Sequence, residues 1–174
     1  MSETNPKKAV LIIAAQTFRD EELFDTQAAL ESAGVETVIA STKIGTCTGK
    51  LGRNAESTML VKDINVDDFD AIVFIGGGGA MQYYNDPDAL KTATDACTKD
   101  KVIAAICIAP RILANAGLLK GISATCYESE AKALKKLGAK FQTADVIKDK
   151  KFITASGPQA AKEFGQTIAK ALTQ

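Results

Sequence analysis

Residues 102–110 (VIAAICIAP) decide the fold of this chain. The first five, Val102–Ile106, form an uninterrupted apolar run of strand length, which is typical of a strand buried on both faces of a parallel sheet. Cys107 follows at once, and Ala109-Pro110 begins a helix that Gly117 ends. A buried strand that turns directly into a helix predicts a nucleophile elbow with Cys107 at its tip.

Two similar apolar runs precede this one, at residues 9–15 (AVLIIAA) and 71–75 (AIVFI). Helical spacing and turn residues surround them. Helices are predicted over residues 20–33, from 86 onward, over 128–137 and over 158–172, and further strands over 35–40, 58–61 and 150–155. Alternating strands and helices predict an α/β sandwich around a mostly parallel sheet, with ligands bound at the carboxyl ends of the strands.

Length and charge narrow the possible functions. The 174 residues predict one domain over residues 1–174, and 21 basic against 21 acidic residues leave no net field that would hold nucleic acid or an anionic membrane. No apolar run is long enough to span a bilayer, and the first 15 residues are interpreted as ending in a strand rather than as a signal peptide. We therefore expect a cytoplasmic protein with reduced cysteines.

The sequence contains no histidine. This excludes a Ser-His-Asp triad, a Cys-His dyad and a histidine-ligated metal within it. The four cysteines form no C-x-x-C pair, so neither a zinc site nor another cofactor is expected.

Three groups of residues are candidates for chemistry. Cys107 faces the free N–H groups of the helix that follows, which favour a thiolate; alternatively it is a small buried core residue. The glycines 76–79 follow a strand, and the N–H of Gly77 could stabilise an oxyanion, or the loop is simply a tight turn. The acids 20–22 begin a helix; at least two are expected only to complement its dipole, while one could point inward.

These segments together resemble the ThiJ/PfpI superfamily, which contains the parkinsonism-associated deglycase and the intracellular protease I branch. The resemblance rests on AVLIIAA with FRDEE, on FDAIVFIGGGG, on VIAAICIAP, on ANAGLLKG and on residues 154–158 (TASGP). It covers nearly the whole chain and is closest to the protease I branch. It implies a flavodoxin-like three-layer sandwich that assembles as a homodimer or a larger homo-oligomer.

The resemblance also implies a site. The family's elbow cysteine matches Cys107, its glutamate matches Glu22, and its backbone donors match Gly77 and Ile108. The histidines of the family are missing: Ile108 stands where the protease branch has one, and Tyr127 stands in the corresponding slot of the deglycase branch. Tyr127 can donate a hydrogen bond, but with a pKa of about 10 it is a poor base.

Three functions are consistent with this site. The first is cofactor-independent chemistry on a small reactive carbonyl, in which Glu22 moves protons and the N–H groups of Gly77 and Ile108 hold the oxyanion. The second is redox sensing or a chaperone-like stress role through oxidation of Cys107. The third is a peptidase or amidase, which the missing histidine disfavours. The expected partner is a small carbonyl compound or an oxidant. Adjacent side chains of a strand face opposite sides, so if Tyr127 faces the site, Cys126 faces away and a redox pair between Cys107 and Cys126 is not expected.

Overall fold

The structure is a computed structural model that describes residues 5–174. The first four residues of the predicted N-terminal segment lie outside the described residues. The strands are β1 (Lys8–Ile12), β2 (Gln16–Phe18), β3 (Glu36–Ser41), β4 (Gly45–Gly49), β5 (Asn54–Ser57), β6 (Met59–Leu60), β7 (Ala71–Phe74), β8 (Val102–Ile106), β9 (Ser123–Ala124), β10 (Lys140–Phe141), β11 (Val146–Asp149) and β12 (Phe152–Ala155). The α-helices are α1 (Asp20–Ser32), α2 (Pro87–Thr98), α3 (Pro110–Asn115), α4 (Ala131–Lys136) and α5 (Ala161–Thr173).

Seven strands form the central sheet, in the order β11-β12-β8-β7-β1-β3-β6. Every neighbouring pair is parallel except β11 with β12. The five strands β3, β1, β7, β8 and β12 have the order of flavodoxin-like folds, in which the chain changes direction between β1 and β7. The predicted α/β sandwich with a mostly parallel sheet is confirmed.

The apolar runs supply both faces of the sheet, as their lack of alternation predicts. In β1, Val10 and Ile12 join the core on one side, and Leu11 joins the core on the other. Helices α2, α3 and α4 cover the first side, and α1 and α5 cover the second. The elbow and the glycine loop therefore emerge from neighbouring strands of a rigid sheet. No helix among residues 5–174 combines the length and the apolar character that a bilayer crossing needs.

Several short elements differ from the sequence prediction. The run at residues 9–15 leaves the sheet after Ile12, and Gln16–Phe18 pairs with β4 in a separate small sheet. The helix predicted over 128–137 is a 3₁₀ turn at Glu128–Glu130 followed by α4. Strands β9, β10 and β11 were not predicted, because their two to four residues are too short for a periodic signal.

The α1–α5 crossing generates the first testable prediction. A Cβ added to Gly165 of α5 would lie 2.8 Å from both the Ala29 Cβ and the Thr26 carbonyl oxygen of α1. Alanine normally stabilises a helix interior by about 1 kcal/mol relative to glycine. Here the overlap outweighs that gain, and Gly165→Ala should destabilise the protein by about 1–2 kcal/mol in chemical denaturation.

Gly78→Ala is the matched control, because no atom lies within 4 Å of its added Cβ. It should leave the free energy of unfolding nearly unchanged. A Gly165→Ala protein as stable as the parent would contradict the close helix crossing.

Candidate active site

Cys107 lies at the sharp turn between β8 and α3. Its φ is +64°, a strained value for a residue with a side chain. Two backbone hydrogen bonds hold this conformation: the Cys107 N–H donates to the Ala155 carbonyl at 2.9 Å, and the Tyr127 N–H donates to the Cys107 carbonyl at 2.7 Å. The residue is only 9% exposed. The predicted elbow is thus present, with its thiol almost covered.

Glu22 reaches the elbow from the first turn of α1, where it is completely buried. Its Oε1 accepts the Gly76 N–H at 3.0 Å. Its Oε2 is buried without a hydrogen-bond partner among the described residues, and Cys107 is the side chain that most affects this carboxyl. A Cβ at Gly76 would lie 2.5 Å from Glu22 Oε1 and 2.7 Å from Cys107 Cβ. Only glycine at position 76 lets the carboxyl and the elbow approach this closely.

Two backbone N–H groups complete the arrangement around the sulfur. Those of Ile108 and Gly77 both interact with the Cys107 sulfur and favour its ionised form. Gly77 has a φ of +100°, and a Cβ there would overlap the backbone of Thr17 and Arg19. The structure therefore brings together Cys107, Glu22, Gly77 and Ile108.

The buried carboxyl and thiol share their protons. Burial raises the pKa of Glu22 to about 7, although the contacts with Cys107 and the Gly76 N–H oppose the shift. Burial, followed by the negative charge of Glu22, raises the pKa of Cys107 to about 12. Because the two groups titrate as a pair, between these values the pair holds one proton. A thiolate forms there when that proton resides on Glu22.

The N–H groups and the helix at the elbow do not by themselves lower the pKa of the thiol below its ordinary value. Helix α3 has only six residues, so the dipole at its start is small. The N–H groups of Ile108 and Gly77 do lower the pKa of Cys107, as predicted, but burial and the charge of Glu22 outweigh them. The charged form of Glu22 therefore opposes ionisation of the thiol.

The DJ-1/PfpI family model matches residues 7–171. The chain belongs to the DJ-1/PfpI family. This confirms the resemblance drawn from the sequence.

Individual proteins are also similar to this chain over most of its length. An uncharacterised protein of Methanocaldococcus jannaschii is 40% identical over 95% of this chain and 82% of its own. The deglycase PfpI of Pyrococcus furiosus is 31% identical over 86% of this chain and 90% of its own. YraA of Bacillus subtilis, named provisionally as a cysteine protease, is 28% identical over 91% and 95%. The crystal structure of a ThiJ/PfpI domain protein from Brachyspira murdochii superimposes with a TM-score of 0.94, at 30% identity, over 97% of this chain and 98% of that one.

The other two acids of α1 have different roles in this DJ-1/PfpI protein. Asp20 is buried and accepts the N–H groups of Leu51 and Arg53 at 2.8 and 2.9 Å, so it closes the turn between β4 and β5. Glu21 pairs with Arg19 at 2.7 Å. The expectation that at least two of the three acids only complement the helix dipole is wrong, since both Asp20 and Glu22 point inward.

Tyr127 borders the elbow through its backbone. Its side chain is half exposed, and its hydroxyl makes no hydrogen bond among the described residues. With Cys126 it lines a cavity of about 630 Å³ that does not include Cys107. Cys126 belongs to the core on the opposite side of the sheet from Cys107, so the two thiols do not form a pair in this arrangement.

Sequence reasoning missed two polar groups near the elbow. Arg19 is close enough for the charges of Glu22 and Cys107 to raise its pKa, in addition to the larger effect of its hydrogen bond to Glu21. On α3, Arg111 lies 3.2 Å from Glu130, which also accepts the Tyr84 hydroxyl at 3.0 Å. An arginine at the N-cap of a helix, followed by three acids, is a weak signal, because such residues usually form surface ion pairs.

The stability of the protein should report the burial of Glu22. Its ordinary pKa of 4.5 is raised to about 7, so the folded state keeps a proton that the unfolded chain has lost. This contribution is complete below about pH 4.5 and is lost as the pH rises through 7, at a cost of about 3 kcal/mol. Glu22→Gln should remove that loss. Chemical denaturation should show the free energy of unfolding of the variant, relative to that of the parent, rising by about 2.5 kcal/mol from about pH 5 to about pH 8.

Glu21→Gln is the control for that experiment, because Glu21 lies in the same helical turn but at the surface. Its stability relative to the parent should be nearly the same at both pH values. An equal pH-dependent gain in the two variants would show that Glu22 is not the buried acid.

Titration of the Cys107 thiol also tests the contact between Glu22 and Cys107. Glu22→Gln removes the negative charge that opposes ionisation of Cys107, so the thiolate should appear about one to three pH units lower than in the parent. The ultraviolet absorbance of the thiolate measures this, after subtraction of the matching Cys107→Ser protein. If the Cys107 thiol titrates at the same pH in both proteins, the charge of Glu22 does not act on the sulfur.

Proposed function

We propose that this protein is a cofactor-independent cysteine enzyme that converts small α-dicarbonyls such as methylglyoxal into hydroxy acids. The observation that carries the proposal is the buried Glu22 carboxyl at the elbow, with an unpartnered oxygen and Cys107 as its main side-chain neighbour. An acid with a pKa of about 7 can donate and accept a proton near neutral pH, as general acid–base catalysis requires.

In the first step, the Cys107 sulfur attacks the aldehyde carbon while Glu22 holds the shared proton. A C–S bond forms, the carbonyl π bond breaks, and its electron pair moves to the oxygen. The Gly77 and Ile108 N–H groups are placed to stabilise this oxyanion. Glu22 then gives its proton to the oxygen, which leaves a neutral thiohemiacetal and a carboxylate.

In the second step, the Glu22 carboxylate removes the hydrogen from the former aldehyde carbon as a proton. The electron pair passes to the adjacent carbonyl and forms an enediolate. Return of the proton to that second carbon, with transfer of the hydroxyl proton from the first oxygen to the second, gives the thioester of a hydroxy acid. Water cleaves this thioester to the hydroxy acid and the free thiol. The first carbon is oxidised and the second reduced, so the net change is addition of water and no external oxidant is needed.

The low exposure of Cys107 supports a small substrate over a polypeptide segment. Peptide hydrolysis by this chain would also lack the histidine that normally activates such a cysteine. Oxidation of Cys107 needs the same thiolate as attack on a carbonyl, so redox sensing is the second candidate function of this pair of residues. We retain Tyr127 as a hydrogen-bond donor at the edge of the site, since its backbone contacts the elbow.

The test is lactate formation from methylglyoxal by the purified protein. Cys107→Ser should abolish turnover, and Glu22→Gln should reduce it by about 10²- to 10⁴-fold, the usual contribution of a general acid–base. Cys97→Ser is the control and should retain activity, because Cys97 packs on the side of the sheet away from Cys107. Lactate formation that survives Cys107→Ser would overturn the mechanism. Rapid loss of the thiol to peroxide without lactate formation would favour redox sensing instead.

A further inference from the structure

The backbone of Arg19 is attached to the proposed reaction centre. Its backbone N–H donates to the carbonyl of Gly76 at 3.0 Å. Gly76 is the residue whose missing Cβ allows Glu22 and Cys107 to approach each other. Arg19 is thus joined to the centre of the site through one backbone hydrogen bond, and its side chain is 30% exposed.

The guanidinium of Arg19 has free donors. Its Nε donates to Glu21 Oε2 at 2.7 Å, while its two terminal nitrogens make no hydrogen bond within residues 5–174. The other two arginines of the chain are engaged elsewhere. Arg53 stacks on Phe24 with 3.7 Å between the guanidinium carbon and the ring centre, and Arg111 bonds Glu130 and Asn115. Arg19 therefore offers unoccupied, partly exposed N–H donors, and it is close enough for the charges of Glu22 and Cys107 to act on its guanidinium.

We propose that Arg19 selects α-dicarbonyls that also carry a carboxylate, so that anionic carbonyl compounds react at Cys107 in preference to neutral ones of the same size. A guanidinium fork matches a carboxylate through two parallel N–H···O bonds. Glu21 orients the fork through Nε and leaves its outer edge open. The inference rests on the proposed function in that it names a substrate class for the same site.

Two alkylating reagents of nearly equal shape isolate the charge effect. Iodoacetate is an anion and iodoacetamide is neutral, and both alkylate the same sulfur, so the ratio of their rates at Cys107 reports the local field. Arg19→Gln should lower this ratio by about fivefold or more, and Arg19→Lys should restore part of it. Mass spectrometry of the peptide containing Cys107 gives both rates.

Arg53→Gln is the matched control, because it removes the same charge from an arginine stacked on Phe24. Its rate ratio should equal that of the parent. An unchanged ratio in Arg19→Gln, or an equal fall in both variants, would overturn the inference.

Glyoxylate and methylglyoxal extend the test to carbonyls. Each should protect Cys107 from iodoacetamide through a reversible thiohemiacetal. Arg19→Gln should weaken protection by glyoxylate by the same factor and leave protection by methylglyoxal unchanged; a loss of both would overturn the charge selection. Because the iodoacetate ratio requires no turnover, a protein that forms no lactate but keeps the ratio would defeat the proposed function and leave the role of Arg19 standing.

Discussion

The close approach of a buried carboxyl to a buried thiol is the constraint on which the site depends. An ionised carboxyl is costly to remove from water, and Glu22 has one backbone N–H and one sulfur to compensate it. The contact is possible only because residue 76 has no side chain. The main effect of the glycine loop is therefore to let the Glu22 carboxyl and the Cys107 elbow approach each other. It removes one Cβ at the point where α1, the end of β7 and the end of β8 converge.

Opposing electrostatic effects act on the contact between Glu22 and Cys107. Burial disfavours both charges, and the Ile108 and Gly77 N–H groups recover part of the loss for the sulfur. One proton between two groups gives two arrangements of equal total charge: carboxylate with thiol, and carboxylic acid with thiolate. Only the second can attack a carbonyl, and in it the acid is already placed to protonate the product. In the proposed mechanism, the pair therefore couples nucleophile activation to proton delivery without a further group.

The sequence predicted the parts of this arrangement that depend on long local patterns. The apolar runs indicated the buried strands, and the strand-to-helix turn at Cys107 indicated the elbow. Glu22 was selected through the family resemblance, because a first-turn acid carries no local sign of facing inward; Asp20 in the same turn was misjudged for that reason. The raised pKa of Cys107 depends on burial and on a residue 85 positions away in the chain, and no spacing rule contains that information. The free donors of Arg19 are likewise a property of tertiary packing.

In this environment Glu22 titrates in the pH range in which a histidine normally would. A histidine suits proton transfer because its pKa of about 6.5 lies near physiological pH. A glutamate normally titrates too low for that task, yet burial raises the pKa of Glu22 to about 7. The difference that remains is charge: an ionising histidine loses a positive charge, whereas Glu22 gains a negative one beside the sulfur. A site built on Glu22 must therefore keep a cation nearby to moderate this charge, and Arg19, whose charge lowers the pKa of Glu22, lies in that position.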